Sequence, residues 1–167
     1  MIIKQKDLSK IRKRHKDQKI VYCSGSFDLP HIGHALYFKF CKDQGDILIV
    51  NIGPDKDIRR NKGADRPIIN QKMRLATISF FKPVDYCFIG QEFKDGKNPF
   101  ANLESVLKKL RPDIYVINKD SKSQIPLLKT MARKYNFKLI ISSRKHPLST
   151  TEIIQKIKNL TKTNYFF

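Results

Sequence analysis

Short, nearly unbroken apolar runs alternate along this chain with stretches of helical spacing. Ile20–Cys23, Asp46–Ile52, Tyr86–Ile89, Asp113–Ile117 and Phe137–Ile141 read as strands. Continuous apolarity marks strands covered on both faces, as in parallel sheets. Helices are predicted over Asp7–Gln18, over Ala35–Cys41, from an Asn70 cap through Phe81, over Pro99–Leu110 and over Gln124–Tyr135. A capping box, Ser149-Thr150-Thr151-Glu152, opens a last helix. The helix after Asn70 is read with Met73, Ala76, Thr77 and Phe80 on one face, and the last with Ile153, Ile154, Ile157 and Leu160 on one face. Gly53–Ile69 reads as a polar loop, and Gly90–Asn98 as a second loop. Strand and helix in alternation predict α/β architecture: one Rossmann-like, doubly wound, five-stranded parallel sheet with helices on both faces. Residues 1–167 are expected to form a single domain, with 1–19 a helical lead-in and 149–161 a helix closing the ligand site.

One stretch carries chemistry. Ser24-Gly25-Ser26-Phe27-Asp28-Leu29-Pro30-His31-Ile32-Gly33-His34 follows the first strand and leads into the first sheet-packing helix. A strand, a turn of small residues and a helix start bring backbone N–H groups and the positive end of a helix dipole to one point, which suits a phosphate. His31 and His34 sit where that helix begins, able to donate to phosphate oxygens and to stabilise charge growing in a transition state. Gly33 permits close backbone approach there. Ligands of such sheets bind beyond the carboxyl ends of the strands, the side on which this loop and the Asp55–Arg66 segment both lie.

Composition narrows the partners. The chain holds 34 Lys and Arg against 15 Asp and Glu, a formal charge of +19. That balance suits nucleic acid and phosphorylated small molecules alike. No aromatic-interleaved basic face is visible, so a non-catalytic nucleic-acid-binding module is the rival reading and no nucleic-acid partner is expected. Three cysteines, Cys23, Cys41 and Cys87, show no CxxC spacing and fall in apolar surroundings, which predicts buried thiols rather than metal ligands or a nucleophile. Four scattered histidines give no zinc spacing, so no protein metal cage is predicted; His15 and His146 read as surface residues. No run is long and apolar enough for a membrane span, and no signal peptide is visible at Met1–Asp7, so a cytoplasmic address without a membrane partner is expected.

Gly25-Ser26-Phe27-Asp28-Leu29-Pro30-His31-Ile32-Gly33-His34 resembles the G-x-F-D-x-x-H-x-G-H signature of cytidylyltransferase-like nucleotidyltransferases. Further fragments agree in order. Gly45-Asp46 resembles the family's G-D, and Ile58-Arg59-Arg60-Asn61-Lys62-Gly63 its V-K-R-L-K-G. Arg66-Pro67 with Arg74 resembles R-P-x and a helix arginine. Val84-Asp85-Tyr86, Arg111-Pro112-Asp113 and Ser149-Thr150-Thr151-Glu152-Ile153-Ile154 resemble V-D-Y, R-P-D and S-T-T-x-I-I. The resemblance spans about Lys19 to Ile157 and is greatest to the heptose-1-phosphate adenylyltransferase and glycerol-3-phosphate cytidylyltransferase branches. After the fourth strand the chain departs from V-K-G-G-D-Y, carrying Val116-Ile117-Asn118-Lys119-Asp120-Ser121.

The resemblance implies transfer of a nucleoside monophosphate from an NTP, ATP before CTP, to a phosphorylated sugar such as a heptose 1-phosphate, with release of pyrophosphate. Glycerol 3-phosphate with CTP is the alternative. It implies His31, His34, Lys62 and Arg74 as catalytic residues. Gly25, Ser26, Phe27, Gly33, Arg59, Arg66, Ser149, Thr150 and Thr151 are implied to bind the nucleotide. It also implies Mg²⁺ or another divalent cation carried by the NTP, and a homodimer. Asp28 and Asp55 read as partners for arginines or as turn residues, not as bases.

Overall fold

The computed structural model describes residues 1–92, 101–142 and 148–163. Five parallel strands, β1 (Ile20–Gly25), β2 (Ile47–Ile52), β3 (Tyr86–Ile89), β4 (Ile114–Asn118) and β5 (Lys138–Ser142), form one sheet in the order β3-β2-β1-β4-β5. The order reverses between β1 and β4, so the loop after β1 sits at the switch point where such sheets bind ligands. Seven α-helices are described: α1 (Leu8–Arg14), α2 (Ile32–Lys42), α3 (Asp55–Lys62), α4 (Gln71–Ser79), α5 (Ala101–Leu110), α6 (Ile125–Tyr135) and α7 (Thr150–Thr163).

The strands are apolar on both sides because both sides are covered. Leu8 and Ile11 of α1, Val106 and Leu110 of α5 and Met131 of α6 pack with Tyr22, Ile49, Phe88 and Tyr115 on one face. Phe38 and Cys41 of α2 and Ile78 of α4 pack with Val21, Cys23, Val50, Cys87 and Val116 on the other. Residues 1–3 cover the outer edge of β3: Ile3 N donates to Cys87 O at 3.0 Å and Cys87 N to Met1 O at 3.0 Å. An edge so covered has fewer open backbone groups to pair with another chain.

The expected elements are present, with α1 ending at Arg14 rather than Gln18 and four further corrections. The predicted polar loop 53–69 contains α3, whose acidic first turn (Asp55, Asp57) and basic last turn (Arg59, Arg60, Lys62) complement the helix dipole while Ile58 is its buried apolar anchor. The face of α4 predicted to be apolar is turned outward, with Met73 60% and Phe80 86% exposed. Arg74 and Ile78 face inward instead. Along α7, Ile153 and Ile154 are half-buried, whereas Ile157 and Leu160 are exposed. His15 is half-buried, its Nε2 2.9 Å from the Tyr86 hydroxyl and its Nδ1 2.6 Å from Gln18 Oε1. The start of the predicted 99–110 helix, most of the 90–98 loop and His146 lie outside the described residues.

Candidate active site

Gly25 ends β1, and the chain then turns through two non-glycine residues in the left-handed region, Phe27 at φ 46° and Leu29 at φ 43°. Conformations of this kind persist where surrounding contacts over-determine them. Phe27 has them: its ring is buried, 4.9 Å from Phe38 and 5.5 Å, edge-on, from the His34 ring. Expected among the nucleotide-binding residues, Phe27 points into the core and supports His34 from beneath. Gly25 belongs to the same arrangement, since a Cβ there would lie 2.9 Å from the Phe27 ring.

His31 is the N-cap of α2. Its Nδ1 accepts from Gly33 N at 3.0 Å, and His34 Nδ1 accepts from His31 N at 3.3 Å. The two rings lie 3.9 Å apart, centroid to centroid, and 31° from parallel. A ring nitrogen that accepts a hydrogen bond carries no proton, so each neutral imidazole bears its hydrogen on Nε2. Backbone geometry therefore sets both tautomers and leaves Nε2 as the donor atom of each neutral ring.

Asp28 joins three parts of the site. Its carboxylate accepts from Arg66 Nε at 2.8 Å, Ile68 N at 3.0 Å, Ile69 N at 3.0 Å and Leu29 N at 3.0 Å. Its carbonyl accepts from the Thr150 hydroxyl at 2.8 Å. Burial by itself pushes this carboxyl up, but the N–H groups of Ile69 and Ile68 and the Arg66 guanidinium outweigh burial and hold it below the ordinary value. A depressed folded-state value contributes stability above the unfolded carboxyl's pKa, and that stability is lost as pH falls through the folded value. Asp28→Asn is thus expected to lower stability at neutral pH and to flatten the acid limb of a stability-against-pH curve. An acid limb identical to that of the parent would contradict this.

Arg74, predicted to bind phosphate from a core-facing helix, is fully buried and already spoken for. Nε donates to Ile69 O at 2.9 Å, Nη1 to Ser26 O, and Nη2 to Gly53 O at 2.8 Å and to Asp55 Oδ1 at 2.6 Å. One guanidinium ties together the loops after β1 and β2 and the starts of α3 and α4. Four of its N–H groups are thus taken by protein acceptors, and the guanidinium holds these loops in position. Arg66, paired with Asp28 and mostly buried, serves similarly. Ser26 enters through its backbone carbonyl.

The start of α7 closes over the loop. Ser149 and Glu152 form the predicted capping box, with Ser149 N donating to Glu152 Oε2 at 2.6 Å and Glu152 N to Ser149 Oγ at 3.2 Å. The Ser149 and Thr150 hydroxyls thus hold the helix start in place, while Thr151 is exposed in the first turn. Gly33 makes this closure possible: a Cβ there would lie 2.8 Å from the Leu148 carbonyl and 2.8 Å from the His31 ring. Gly33→Ala is therefore expected to cost about 1–3 kcal/mol and to push residues 148–150 away from the histidines. A thermal midpoint equal to the parent's would show that the contact yields freely.

Arg59 and Lys62 are exposed on the last turn of α3, which Gly63 ends at φ 100°. Arg59 overlooks a cleft of about 350 Å³ shared with Pro67, Ile68 and Met73. Desolvation, with the Arg66 guanidinium nearby, lowers the Lys62 ammonium, and Asp28 partly opposes this. The thiols are no nucleophiles: all three are buried, and burial pushes Cys87 up to about 11 and Cys23 well above its usual value. Sequence reading did not single out Leu148 or the joining role of Asp28. The pairing of Asp28 with an arginine was expected from the sequence; its bonds to the N–H groups of Ile68 and Ile69 and to Thr150 were not, because backbone groups carry no sequence signal.

Known proteins resemble this chain in sequence and in fold. Residues 22–156 match the Cytidylyltransferase-like family. The chain belongs to that family, a family of nucleotidyltransferases. The bifunctional protein HldE of Helicobacter pylori strain HPAG1 is 34% identical over 144 residues, which cover 86% of this chain and 28% of that protein. HldE of Campylobacter curvus is 32% identical over 155 residues, 93% of this chain and 31% of that protein. The chain thus spans under a third of the length of these relatives. The crystal structure of a lipopolysaccharide core biosynthesis protein from Thermoplasma volcanium superimposes with a TM-score of 0.63 at 30% identity, covering 77% of this chain and 98% of that one. Pantoate-beta-alanine ligase from Francisella tularensis, solved with an ATP analogue and beta-alanine, shares the fold at TM-score 0.61 and 23% identity, over 99% of this chain and 80% of its own.

Proposed function

We propose that this chain transfers a nucleoside monophosphate from an NTP, ATP in the first place, to a phosphorylated sugar of the heptose 1-phosphate class, releasing pyrophosphate. The observation that carries the reading is the pair His31 and His34, whose backbone-fixed tautomers present two Nε2–H donors at the N-terminus of α2. The acceptor's phosphate oxygen attacks the α-phosphorus in line, a new P–O bond forms, and the bond to the β-phosphate oxygen breaks as pyrophosphate leaves. His31 and His34 donate to the phosphate oxygens as charge moves onto the leaving group. The exposed Arg59 and Lys62 reach the triphosphate from α3. Gly33 and the exposed first turn of α7, with Thr151, admit the nucleotide at close range. Ser26, Phe27, Arg66, Arg74, Ser149 and Thr150 hold that geometry.

Among the described residues no group of three or more His, Cys, Asp or Glu side chains could hold a metal ion. Asp28 and Asp55 are engaged with Arg66 and Arg74. With both carboxylates taken by arginines, the divalent cation is assigned to the triphosphate that carries it in, rather than to a cage of protein ligands. Such a cation supplies charge neutralisation along the phosphates. A homodimer, read by light scattering, and a cytoplasmic setting, where NTPs are available, belong to the same reading. Among the described residues no helix is long and apolar enough to cross a membrane. The test is a panel of NTPs against heptose 1-phosphates, other sugar phosphates and glycerol 3-phosphate, scored for acceptor-dependent pyrophosphate. Release with ATP and a sugar 1-phosphate is expected. Release with none of the acceptors would overturn the proposal, and release confined to CTP with glycerol 3-phosphate would replace its substrates.

A further inference from the structure

The charge of +19 is more than one nucleotide site needs, and the fold gathers much of it elsewhere. Helices that cross over a parallel sheet run against its strands, so their C-terminal turns collect at the strands' amino ends. Here Arg12 of α1 pairs with Asp113, just ahead of β4, at 2.9 Å. The last turns are basic: Lys13 and Arg14 in α1, Lys108 and Lys109 in α5, Arg133 and Lys134 in α6. Lys19 precedes β1, and Lys138 begins β5.

Apart from Asp17, exposed in the turn before β1 with Lys16 at 3.9 Å, the acidic residues of this edge are engaged. Asp113 is taken by Arg12 and by Ile20 N, Asp46 by Lys19 N, Asp85 by Lys42 and Leu48 N, and Asp43 by Lys39. Glu104 takes Lys134. Lys13, Arg14, Lys19, Lys108, Arg133 and Lys138 are all exposed. Among the described residues none of their side-chain cations lies within 4.0 Å of a carboxylate oxygen. Complementing the helix dipoles accounts for a cation in each of these last turns, but not for the strand-flanking lysines, nor for six exposed cations that make no ion pair among the described residues.

We propose that the amino-terminal edge of the sheet is a docking surface for an anionic lipid bilayer. The cations lie on or beside α1, β1, α5, α6 and β5, so they spread across the sheet edge as a broad array rather than along one helix of the kind that reads a duplex. Four of the six are lysines, compact point charges suited to a diffuse anionic surface rather than to bidentate recognition. Phe80, 86% exposed beyond α4, and the exposed Lys82 beside it stand at the same edge, a single aromatic side chain for the headgroup layer rather than a stacking row. The sequence reading expects no membrane partner because no span exists; surface docking needs none. Strands of this length separate the two edges by about 17–20 Å, beyond the Debye length of about 8 Å. A bilayer on this edge therefore leaves the histidine loop facing solvent and electrostatically undisturbed.

The experiment sediments the full chain with vesicles of phosphatidylcholine alone or of phosphatidylcholine with phosphatidylglycerol, at low and high salt. Single-stranded RNA and duplex DNA oligonucleotides are offered in parallel. Pelleting with the anionic vesicles only, reversed by salt, is expected. The combined variant Lys13→Gln, Lys108→Gln, Arg133→Gln, Lys138→Gln should bind those vesicles at least about tenfold more weakly while keeping the parent's circular dichroism. Equal pelleting with neutral vesicles, none with anionic ones, or preference for the oligonucleotides would overturn the proposal. So would unweakened binding by the variant. Should the variant not fold, the lipid, salt and oligonucleotide arms on the parent still decide. Vesicle binding is read without turnover, so its failure is separate from failure of the catalytic reading.

Discussion

His31→Asn is expected to lower turnover by about two to three orders of magnitude while the protein folds as before. An asparagine oxygen can replace Nδ1 as the acceptor for Gly33 N, so the N-cap of α2 survives. The Nε2–H that would meet the triphosphate does not. His31→Ala removes both, and is expected to add about 1 kcal/mol of lost stability to the same loss of rate. His34→Ala should match the rate loss. The pair of substitutions at position 31 separates capping from chemistry: a stable His31→Asn protein turning over at the parent rate would strip the ring of its assigned part.

Arg74→Met is expected to destabilise the fold by about 3–5 kcal/mol, a fall of roughly 10 °C in Tm for a chain of this size. The guanidinium is fully buried, and its loss leaves the Asp55 carboxylate and the carbonyls of Ser26, Gly53 and Ile69 without their donor. Methionine replaces volume and no hydrogen bond. Arg74→Lys keeps the charge but cannot span four acceptors from one ammonium, so it should recover part of the stability only. Because these acceptors belong to the loops that flank the histidines, activity should fall with stability in both variants. A Tm within a degree or two of the parent's would show that these contacts are not what holds the loops.

These two side chains also mark what the sequence made legible. The course of the β1 loop, strand to turn to helix start, could be read because small residues, a His-x-Gly-His spacing and a following helix leave few geometries open; the inward packing of Phe27 and the links made by Asp28 could not. Sheet composition and parallel direction were equally visible in the unbroken apolar runs. Arg74 could be seen as an arginine on a core-facing helix, but its partners are backbone carbonyls of distant loops, and carbonyls carry no sequence signal. Its burial also explains why the face of α4 was misread. Where the inward face of a short helix is spent on a guanidinium, the apolar residues Met73 and Phe80 are left outside, and a hydrophobic pattern points the wrong way. The helix α3 was hidden for a related reason. It buries one aliphatic side chain, Ile58, so apolar periodicity is absent. Its real signals were electrostatic: acids first, bases last, Pro54 before and Gly63 after. Gly33 was readable as a close approach, though not its partner, because the Leu148 carbonyl is far away in sequence.

The same contacts describe how the site is kept in register. Thr150 bonds to the carbonyl of Asp28, whose carboxylate holds Arg66 and the backbone of Ile68 and Ile69, and Arg74 bonds to Ile69 from the other side. The start of α7, the histidine loop and the approach to α4 are thus linked through hydrogen bonds that leave His31 and His34 at the centre.

The central claim is transfer of a nucleotidyl group directly to an acceptor phosphate, and an NTP radiolabelled at the α-phosphate tests it most directly. Incubated with ATP so labelled and a heptose 1-phosphate, the protein should place the label in a sugar nucleotide, with one pyrophosphate released per label transferred. Label retained on the protein, or appearing only as free nucleoside monophosphate whether or not acceptor is present, would contradict the account.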